Sequence, residues 1–448
     1  MLAQSVVNEV DIVFLGRLPC PESSNTQAAL LPSLVILWAL GGSLSAISVG
    51  TQAYTGRRFA EGKLGEAGAV LANALFFALT AGLVMTVIGY AFMNPIVRLA
   101  APSPAVREAA HAYLKWRLLG ITSMAATFAL KAFFDGIGKT YVHLVASIAM
   151  NVLNVILCTL LIFGHPSLGI PKMGIEGAGI AGVASTYVGL LVMVGYALRG
   201  ECRDSFGPFR RAKLSRKLTW DVVKLSLPSG AATIVVMSGV MMFVTIAYRL
   251  DSILPLGIVS PMCPGGSTEP VNGAATTVII GILKLTFSGC LAFGTSTATL
   301  VAQSLGEGKP DQAEMFGWTS VRLGVLFFGV VGLLELVFAE AILRFVTHST
   351  LVQQNALVPL RIMGVCTPVI AIGMIVVEAL FGAGNSRFVM IVQGILHFGV
   401  LVPLAYVLGV TFQLGLPGIW IGALVYALAL AALMSVKFKS GDWKSIQI

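Results

Sequence analysis

Charged side chains are scarce in this chain, and their scarcity excludes an ordinary soluble domain. Only 11% of the 448 residues are Asp, Glu, Lys or Arg, whereas soluble domains carry roughly a quarter. Hydrophobic residues make up 56% of the chain, and the mean hydropathy is +0.89. A soluble protein could not bury so much apolar surface, so the composition predicts that lipid is the solvent.

The motifs of catalysis and metal binding are also lacking. The six cysteines form no CxxC pair, so we expect neither a metal centre nor a redox cofactor. No HExxH, GxSxG or P-loop motif occurs, which leaves an enzyme or an ATP-driven pump without visible residues. We therefore expect a protein without cofactors that is not an enzyme and that draws its energy from an ion gradient.

Long apolar runs fill most of the sequence. Each exceeds the roughly 20 residues that cross a bilayer, and they fall near residues 28–57, 67–93, 106–133, 141–164, 174–198, 220–249, 274–303, 312–339, 353–383, 386–409 and 416–436. A shorter run, Met1–Gly16, precedes them and is too brief to span. Counted as a partial helix, it predicts an all-α integral membrane protein with twelve transmembrane helices, the first of them truncated.

Basic residues cluster between the sixth and seventh runs, at Arg199, Arg203, Arg210, Arg211, Lys213, Arg216, Lys217 and Lys224. Cytoplasmic loops carry the excess of Lys and Arg, so we read the net charge of +9 as a topology signal rather than as nucleic-acid binding. We predict an N-terminal lobe (1–198), a basic cytoplasmic linker (199–219), a C-terminal lobe (220–436) and a cytoplasmic tail (437–448). Both termini of this multi-pass inner-membrane protein are expected in the cytoplasm.

The two halves of the chain repeat each other at a constant offset of 246 residues. The matches include Thr51 with Thr297, Glu61-Gly62-Lys63 with Glu307-Gly308-Lys309, Gly136 with Gly382, and Gly138 with Gly384. Six helices per half is an even number, so the halves share one orientation and enclose a central cleft. Two pseudo-symmetric six-helix lobes of this kind suit an alternating-access transporter.

Several short motifs, in this order, carry a resemblance to a known family. They are Val10-Asp11 followed by an apolar run and Gly16, the glycine turns at Gly136 and Gly382, the stretch from Asn154 to Gly164 with Gly177–Ala181, and Leu227-Pro228-Ser229. Over essentially its whole length the chain resembles the multidrug and toxic compound extrusion family. The resemblance implies an antiporter that expels cationic or amphipathic organic compounds against a proton or sodium gradient.

Asp11 is the leading candidate for ion coupling. An ionisable group inside a membrane helix costs roughly 2.5–3.5 kcal/mol on insertion scales. A proton arriving from outside would neutralise Asp11 and weaken a bound cation, although a solvated interfacial carboxylate is the alternative. Asn154 matches the family's asparagine near the first-helix acid. Gln4 lies two helical turns before Asp11 on the same face, and either contacts the substrate or the carboxylate or serves helix packing.

The sequence favours protons over sodium as the coupling ion. Where the resemblance leads us to expect a second aspartate and a threonine, this chain has Cys158 and Gly182. Apolar Val236 and Ile370 stand near the positions of the acids used in the second half by sodium-coupled relatives. Sodium prefers several hard oxygen ligands, and a thiol is a poor substitute.

Other ionisable groups fall within the apolar runs. Lys284 and Glu378 are expected deep in the eighth and tenth spans, as an ion pair that stabilises the lobe or as part of the cleft. Lys131 and Asp135 are expected to form a local pair on one helix. Glu335 and Glu340 are expected at the membrane interface, and His397 as a hydrogen-bonded packing residue.

Two other functions stay open at this stage. One is a sodium-coupled exporter of the same family, and the other is a flippase of lipid-linked sugars or phospholipids, whose cleft should be cationic. The expected partners are a small organic substrate, the coupling ion and the lipid bilayer, with no nucleic acid, and we expect a monomer.

Overall fold

The computed structural model describes residues 11, 14, 15, 18, 22–100, 104–207, 214–253, 258–259, 268–269, 271–347 and 350–446. Gln4 lies outside these ranges, and so does most of the first predicted span. Within it, Asp11, Phe14 and Leu15 have helical backbone. The described chain is almost entirely helical, because its long apolar runs satisfy their backbone groups internally, as a membrane requires.

The chain divides into two compact units, Met1–Gly230 and Ala231–Ile448. The helices of the first unit are α1 Glu22–Leu40, α2 Ile47–Ala60, α3 Leu64–Ala100, α4 Pro104–Arg117, α5 Gly120–Gly136, α6 Tyr141–Phe163, α7 Gly174–Leu198 and α8 Gly200–Phe206. A single 3-10 turn, Gly42–Ala46, joins α1 to α2. Helix α9, Arg216–Ile253, begins in the first unit and continues into the second.

The second unit contains α10 Val271–Gly306, α11 Pro310–Val337, α12 Ala339–Val346, α13 Thr350–Gly382, α14 Ser386–Leu396, α15 Val402–Tyr406 and α16 Gly415–Ser440. The π-helical turns His397–Leu401 and Val407–Thr411 flank α15 and make one continuous span of 386–411. Two strands of two residues each, β1 Ile258–Val259 and β2 Thr268–Glu269, pair antiparallel.

Among the described residues, nine helices are long and apolar enough to cross a membrane. A tenth span is added if α4 and α5, which meet at a 48° bend, count as one. These ten agree with the third to twelfth apolar runs of the sequence. Helices α1 and α2 cover the second run, and the helical backbone at Asp11 falls in the first.

The internal repeat reappears in the turns between helices. Gly62 and Gly308, which are 246 residues apart, have φ angles of 73° and 72°. Gly138 and Gly384 likewise have φ angles of 76° and 90°. Only glycine adopts such a conformation without strain, so both halves end equivalent helices with the same turn.

Helix packing repeats as well. A Cβ on Gly136 would lie 3.2 Å from the carbonyl oxygen of Gln52, and a Cβ on Gly382 would lie 2.4 Å from that of Ala298. Gln52 and Ala298 are themselves 246 residues apart. The same close helix contact is therefore built at the same place within each unit.

The C-terminal tail folds back on its own unit. Trp443 is fully buried and stacks on Phe438, with ring centroids 4.7 Å apart. Its Nε1–H donates to the carbonyl oxygen of Phe438 at 2.7 Å. Lys444 bridges Asp311 and Glu314 in the first turns of α11, at 2.8 and 2.6 Å.

Candidate functional site

Asp11 lies in a closed pocket of the first unit, and only 1% of its surface is exposed. Tyr113 of α4 donates its hydroxyl to Oδ2 of Asp11 at 2.7 Å. The thiol of Cys158, on α6, lies 3.5 Å from Oδ1 and donates to it. Both partners are fully buried, so the carboxyl belongs to the helix core and not to the solvated interface that the sequence left open.

Arg117, the last residue of α4, brings a positive charge to this pocket. Its charge acts on both Asp11 and Tyr113, and its guanidinium lies 5.6 Å from the centre of the Tyr113 ring. Tyr113 and Arg117 are one helical turn apart, so they share a face of α4. The site therefore combines a carboxyl and a guanidinium with a phenol that contacts both.

The room for Arg117 comes from a glycine on α7. A Cβ on Gly182 would lie 2.2 Å from Nη1 of Arg117, which is far inside contact distance. Gly182 stands where the family resemblance leads us to expect a threonine. The departure that removes a possible oxygen ligand for sodium is therefore the one that admits the guanidinium.

Arg117 also stands at the bend between α4 and α5. A break of this kind leaves backbone carbonyls without helical partners. The hydroxyl of Thr86 donates to the carbonyl oxygen of Leu118 at 3.2 Å. The hydroxyl of Tyr187 donates to that of Leu119 at 3.0 Å. Hydrogen bonds from neighbouring helices thus stabilise the bend and help to hold the backbone next to Arg117 in place.

Asn154 lies one turn before Cys158 on α6 and is fully buried. By hydrogen-bond geometry, neither atom of its side-chain amide has a partner in the described part of the chain, although the amide acts on the thiol of Cys158 one turn away. A buried amide whose hydrogen-bonding capacity is not met is costly. Asn154 and Cys158 therefore place an amide and a thiol side by side on one face of α6.

The second unit places Lys284 and Glu378 differently from each other. Lys284 is exposed on α10, whereas Glu378 is half-buried on α13 and packs against Gly294. Nothing in the geometry tests their pairing, which stays a prediction. Within the described ranges, no group of three His, Cys, Asp or Glu side chains lies close enough together to hold a metal ion.

Two structural expectations are confirmed. Lys131 and Asp135 form a buried ion pair at 2.6 Å on one face of α5. His397 is buried, its Nδ1 lies 2.9 Å from the carbonyl oxygen of Gln393, and its ring packs edge-on against Tyr426. Both groups are satisfied by their own helix or its neighbour, as packing residues are.

Glu335 lies near the end of its helix, as expected, but it is buried there and not solvated. Glu335 is only 4% exposed although it lies two residues from the end of α11. Threonine hydroxyls from two other helices surround it, and the sequence of α11 alone does not show them. Glu340, by contrast, is exposed and lies 3.8 Å from Arg361.

Sequence reasoning also missed Tyr113 and Arg117. A signal for Arg117 was present, because it is an ionisable residue inside the apolar run 106–133, and the cost that singled out Asp11 applies equally to it. Tyr113 gave no such signal, since tyrosine is common in membrane helices. Only the fold brings these two residues to Asp11.

Comparison with known proteins gives a consistent result. The model of the MatE family matches residues 1–160 and 266–407. A probable multidrug resistance protein NorM from Thermotoga maritima is 24% identical over 449 residues, which cover 98% of this chain and 89% of that protein. A probable multidrug resistance protein YoeA from Bacillus subtilis is 25% identical over 452 residues, covering 99% and 91%.

Solved structures share the fold. A transporter of the MOP superfamily from Pyrococcus furiosus superposes with a TM-score of 0.85 at 20% identity, covering 98% of this chain and 92% of that one. An outward-facing multidrug resistance transporter of the MATE family superposes with the same TM-score and identity, covering 99% and 93%. Such transporters have twelve helices in two lobes, which is the all-α membrane fold expected from the sequence.

Proposed function

The chain belongs to the MatE family of membrane transporters, and we propose that it is a secondary active antiporter that exports small cationic or amphipathic organic compounds in exchange for protons. The observation that carries the proton assignment is the set of groups around Asp11. They are a phenol, a thiol and a guanidinium. A proton needs only the carboxyl itself, whereas sodium needs several hard oxygens.

Electrostatics alone does not separate the two ions, because each adds one positive charge. Arg117 already supplies a positive charge beside Asp11, and it repels an arriving proton and an arriving sodium ion alike. Sodium must also find several oxygen ligands next to the guanidinium, whereas a proton needs only one oxygen of the carboxyl. The ligand chemistry of the site, and not its charge, therefore supports the proton.

The proposed cycle follows from the charge on Asp11. While the carboxyl is ionised, Arg117, Tyr113 and Cys158 hold it in the closed pocket. A proton from the outer side removes the attraction for Arg117 and frees the guanidinium to leave Gly182. Release of the proton inward restores the attraction between Asp11 and Arg117, and about 2.3 kcal/mol per charge per 100 mV is available from the membrane potential.

The substrate class rests on the family and its named relatives, which are probable multidrug resistance proteins. We propose that this multi-pass protein acts as a monomer in the inner cell membrane. Its basic linker and tail support a cytoplasmic location of both termini. In this proposal the amide of Asn154 contacts the substrate or takes part in coupling beside Asp11. Lys284, exposed within a span, favours a flippase of lipid-linked sugars or phospholipids as the second candidate, because the cleft of such a flippase should be cationic.

The test is efflux of a fluorescent organic cation from proteoliposomes, driven in turn by a proton gradient and by a sodium gradient. Proton-driven export that is lost in Asp11→Asn supports the proposal. Glu340→Gln is the matched control, since it also converts a carboxyl to an amide but at an exposed position. Sodium-driven export by the wild type, or an Asp11→Asn variant that exports normally, would contradict it.

A further inference from the structure

Glu335 is a second buried carboxyl, and both of its oxygens are occupied. Thr286 of α10 donates its hydroxyl to Oε1 at 3.1 Å, and Thr367 of α13 donates to Oε2 at 2.6 Å. Both threonines are buried. Three helices therefore converge on this carboxyl, so it does not face a solvated surface.

No basic side chain of the described residues acts on this carboxyl. Its hydrogen bonds come from the two threonines alone, and the titratable groups that face it are the buried thiols of Cys290 on α10 and Cys366 on α13. Charged residues on the same helices lie elsewhere: Lys284 is exposed, Arg361 lies by Glu340, and Glu378 packs against Gly294. A buried charge without a counter-ion costs several kcal/mol, so the carboxyl needs a proton or a cation to neutralise it.

Thr367 can satisfy both protonation states. Its hydroxyl lies 2.6 Å from Oε2 of Glu335 and 3.1 Å from the carbonyl oxygen of Met363. When Glu335 is ionised, Thr367 donates to the carboxylate. When Glu335 is protonated, the acid donates to Thr367, which turns its own hydrogen to Met363. One rotation of a hydroxyl thus replaces one complete set of hydrogen bonds with another.

The internal repeat shows that the second unit alone has this arrangement. The residue 246 positions before Glu335 is Gly89, and those before Thr286 and Thr367 are Leu40 and Ile121. The carboxyl and both hydroxyls are therefore absent together from the first unit. Apolar residues would pack these helices equally well, so packing alone does not explain why three polar residues occur together here.

The carboxyl of Glu335 has room because the large and the small residue of this helix contact are exchanged between the two halves. A Cβ on Gly89 would lie 2.9 Å from Cδ2 of Leu118, so a small residue on α3 faces a large one. The repeat partner of Leu118 is Gly364, whose added Cβ would lie 3.3 Å from Cβ of Glu335. In the second unit the large residue is on α11 and the small one is on α13.

We propose that Glu335, with Thr286 and Thr367, is a second proton-binding site of the transporter, which takes up and releases a proton within the C-terminal half. This deepens the proposed function and rests on proton exchange being the driving reaction. The site needs no other ligand, because both of its protonation states are hydrogen-bonded. Its place near the end of α11, two residues before Val337, puts it within reach of one membrane surface.

The first experiment reads the proton directly. Infrared difference spectra of the purified protein are recorded as pH is changed, in the Asp11→Asn background so that Asp11 gives no signal. A carboxylic-acid band that titrates in Asp11→Asn and vanishes in Asp11→Asn/Glu335→Gln supports the proposal. Glu340→Gln in the same background is the control and should keep the band. Identical titrating bands in Asp11→Asn and Asp11→Asn/Glu335→Gln overturn the proposal, because the other Asp and Glu side chains of the chain titrate in both.

The second experiment covers the case in which Glu335→Gln fails to fold. Thr367→Val keeps the shape of the side chain and removes the hydroxyl that reorients when Glu335 gains or loses a proton. We expect the midpoint of the band to move in Thr367→Val. Thr295→Val on α10 should leave it in place, because the hydroxyl of Thr295 donates to the backbone carbonyl of Leu291 at 2.7 Å. An unmoved midpoint in Thr367→Val overturns the proposal.

Transport then separates the two proposals. The number of protons exchanged per substrate should fall in Glu335→Gln, while Asp11→Asn abolishes export. If sodium drives export, the coupling at Asp11 is refuted. The infrared band still decides whether Glu335 binds a proton, because it is measured without a gradient.

Discussion

The guanidinium of Arg117 occupies the space that a side chain at position 182 would need. A Cβ on Gly182 would lie 2.2 Å from Nη1 and 3.0 Å from Cζ of Arg117. The two residues come from α4 and α7, so this contact joins the bend of one helix to the face of another. It links the missing side chain of Gly182 to the charge that faces Asp11.

Replacing Gly182 by threonine should therefore displace Arg117. We expect Gly182→Thr to lose at least 10-fold in proton-driven export, because the guanidinium can no longer face Asp11. Gly182→Thr combined with Arg117→Ala should fold better than Gly182→Thr alone, since the clash is gone. Export assays and thermal melts of the two variants check this, and equal melting temperatures would contradict the steric explanation.

Tyr113→Phe removes one hydrogen bond and keeps the ring. Hydrogen bonds to charged groups contribute about 1.5–3 kcal/mol, so we expect a loss of roughly 10- to 100-fold in proton-driven export. Tyr187→Phe is the matched control, because its hydroxyl donates to a neutral backbone carbonyl. Equal effects of the two substitutions would show that the bond to Asp11 has no special role.

Two glycines on α11 should respond oppositely to alanine. A Cβ on Gly332 would lie 2.3 Å from the carbonyl oxygen of Gly364, whereas a Cβ on Gly329 meets nothing within 4 Å. Gly332→Ala should destabilise the protein by about 1–3 kcal/mol, as overpacking does. Gly329→Ala should be neutral or stabilising by up to about 1 kcal/mol. Thermal unfolding in detergent distinguishes them, and a stable Gly332→Ala would refute the close contact.

The tail contributes through packing more than through charge. Trp443→Ala removes a fully buried ring and should cost about 3–5 kcal/mol. Lys444→Met removes partly exposed ion pairs and should cost less than about 1 kcal/mol.

Hydrogen bonds to Asp311 and Glu314 raise the pKa of Lys444 above its ordinary value. The stabilisation that the Lys444 ion pairs give to the folded state is therefore complete below the pKa of an unfolded lysine, about 10.4. It is lost only as pH rises through the higher pKa of Lys444 in the folded protein. Thermal melts across the neutral range should show a constant effect of Lys444→Met. An effect that changes within that range, or that exceeds the effect of Trp443→Ala, would contradict this account.

The spans were predictable because their signal is local. A run of apolar residues marks a membrane helix wherever it packs, and the repeat at 246 residues identified equivalent turns such as Gly62 and Gly308. The importance of Asp11 stays a prediction, but its place inside a helix was signalled by the sequence, since an acid in an apolar run is costly by itself.

The surroundings of the acids were not predictable in the same way. Glu335 reads as interfacial from its place near the end of α11, and its burial depends on Thr286, Thr367 and Gly364 from other helices. Gly182 was recognised as a departure from the family's pattern, but the sequence could not show that Arg117 fills the space. Contacts between distant segments decide these sites.

The exchange of volume between Gly89–Leu118 and Glu335–Gly364 also bears on moving the acid from one half to the other. A side chain placed at Gly89 would meet Cδ2 of Leu118, which lies 2.9 Å from the added Cβ. A graft of the acid into the first half therefore has to change positions 89 and 118 together. In this chain the two positions are one steric unit and cannot be exchanged singly without repacking.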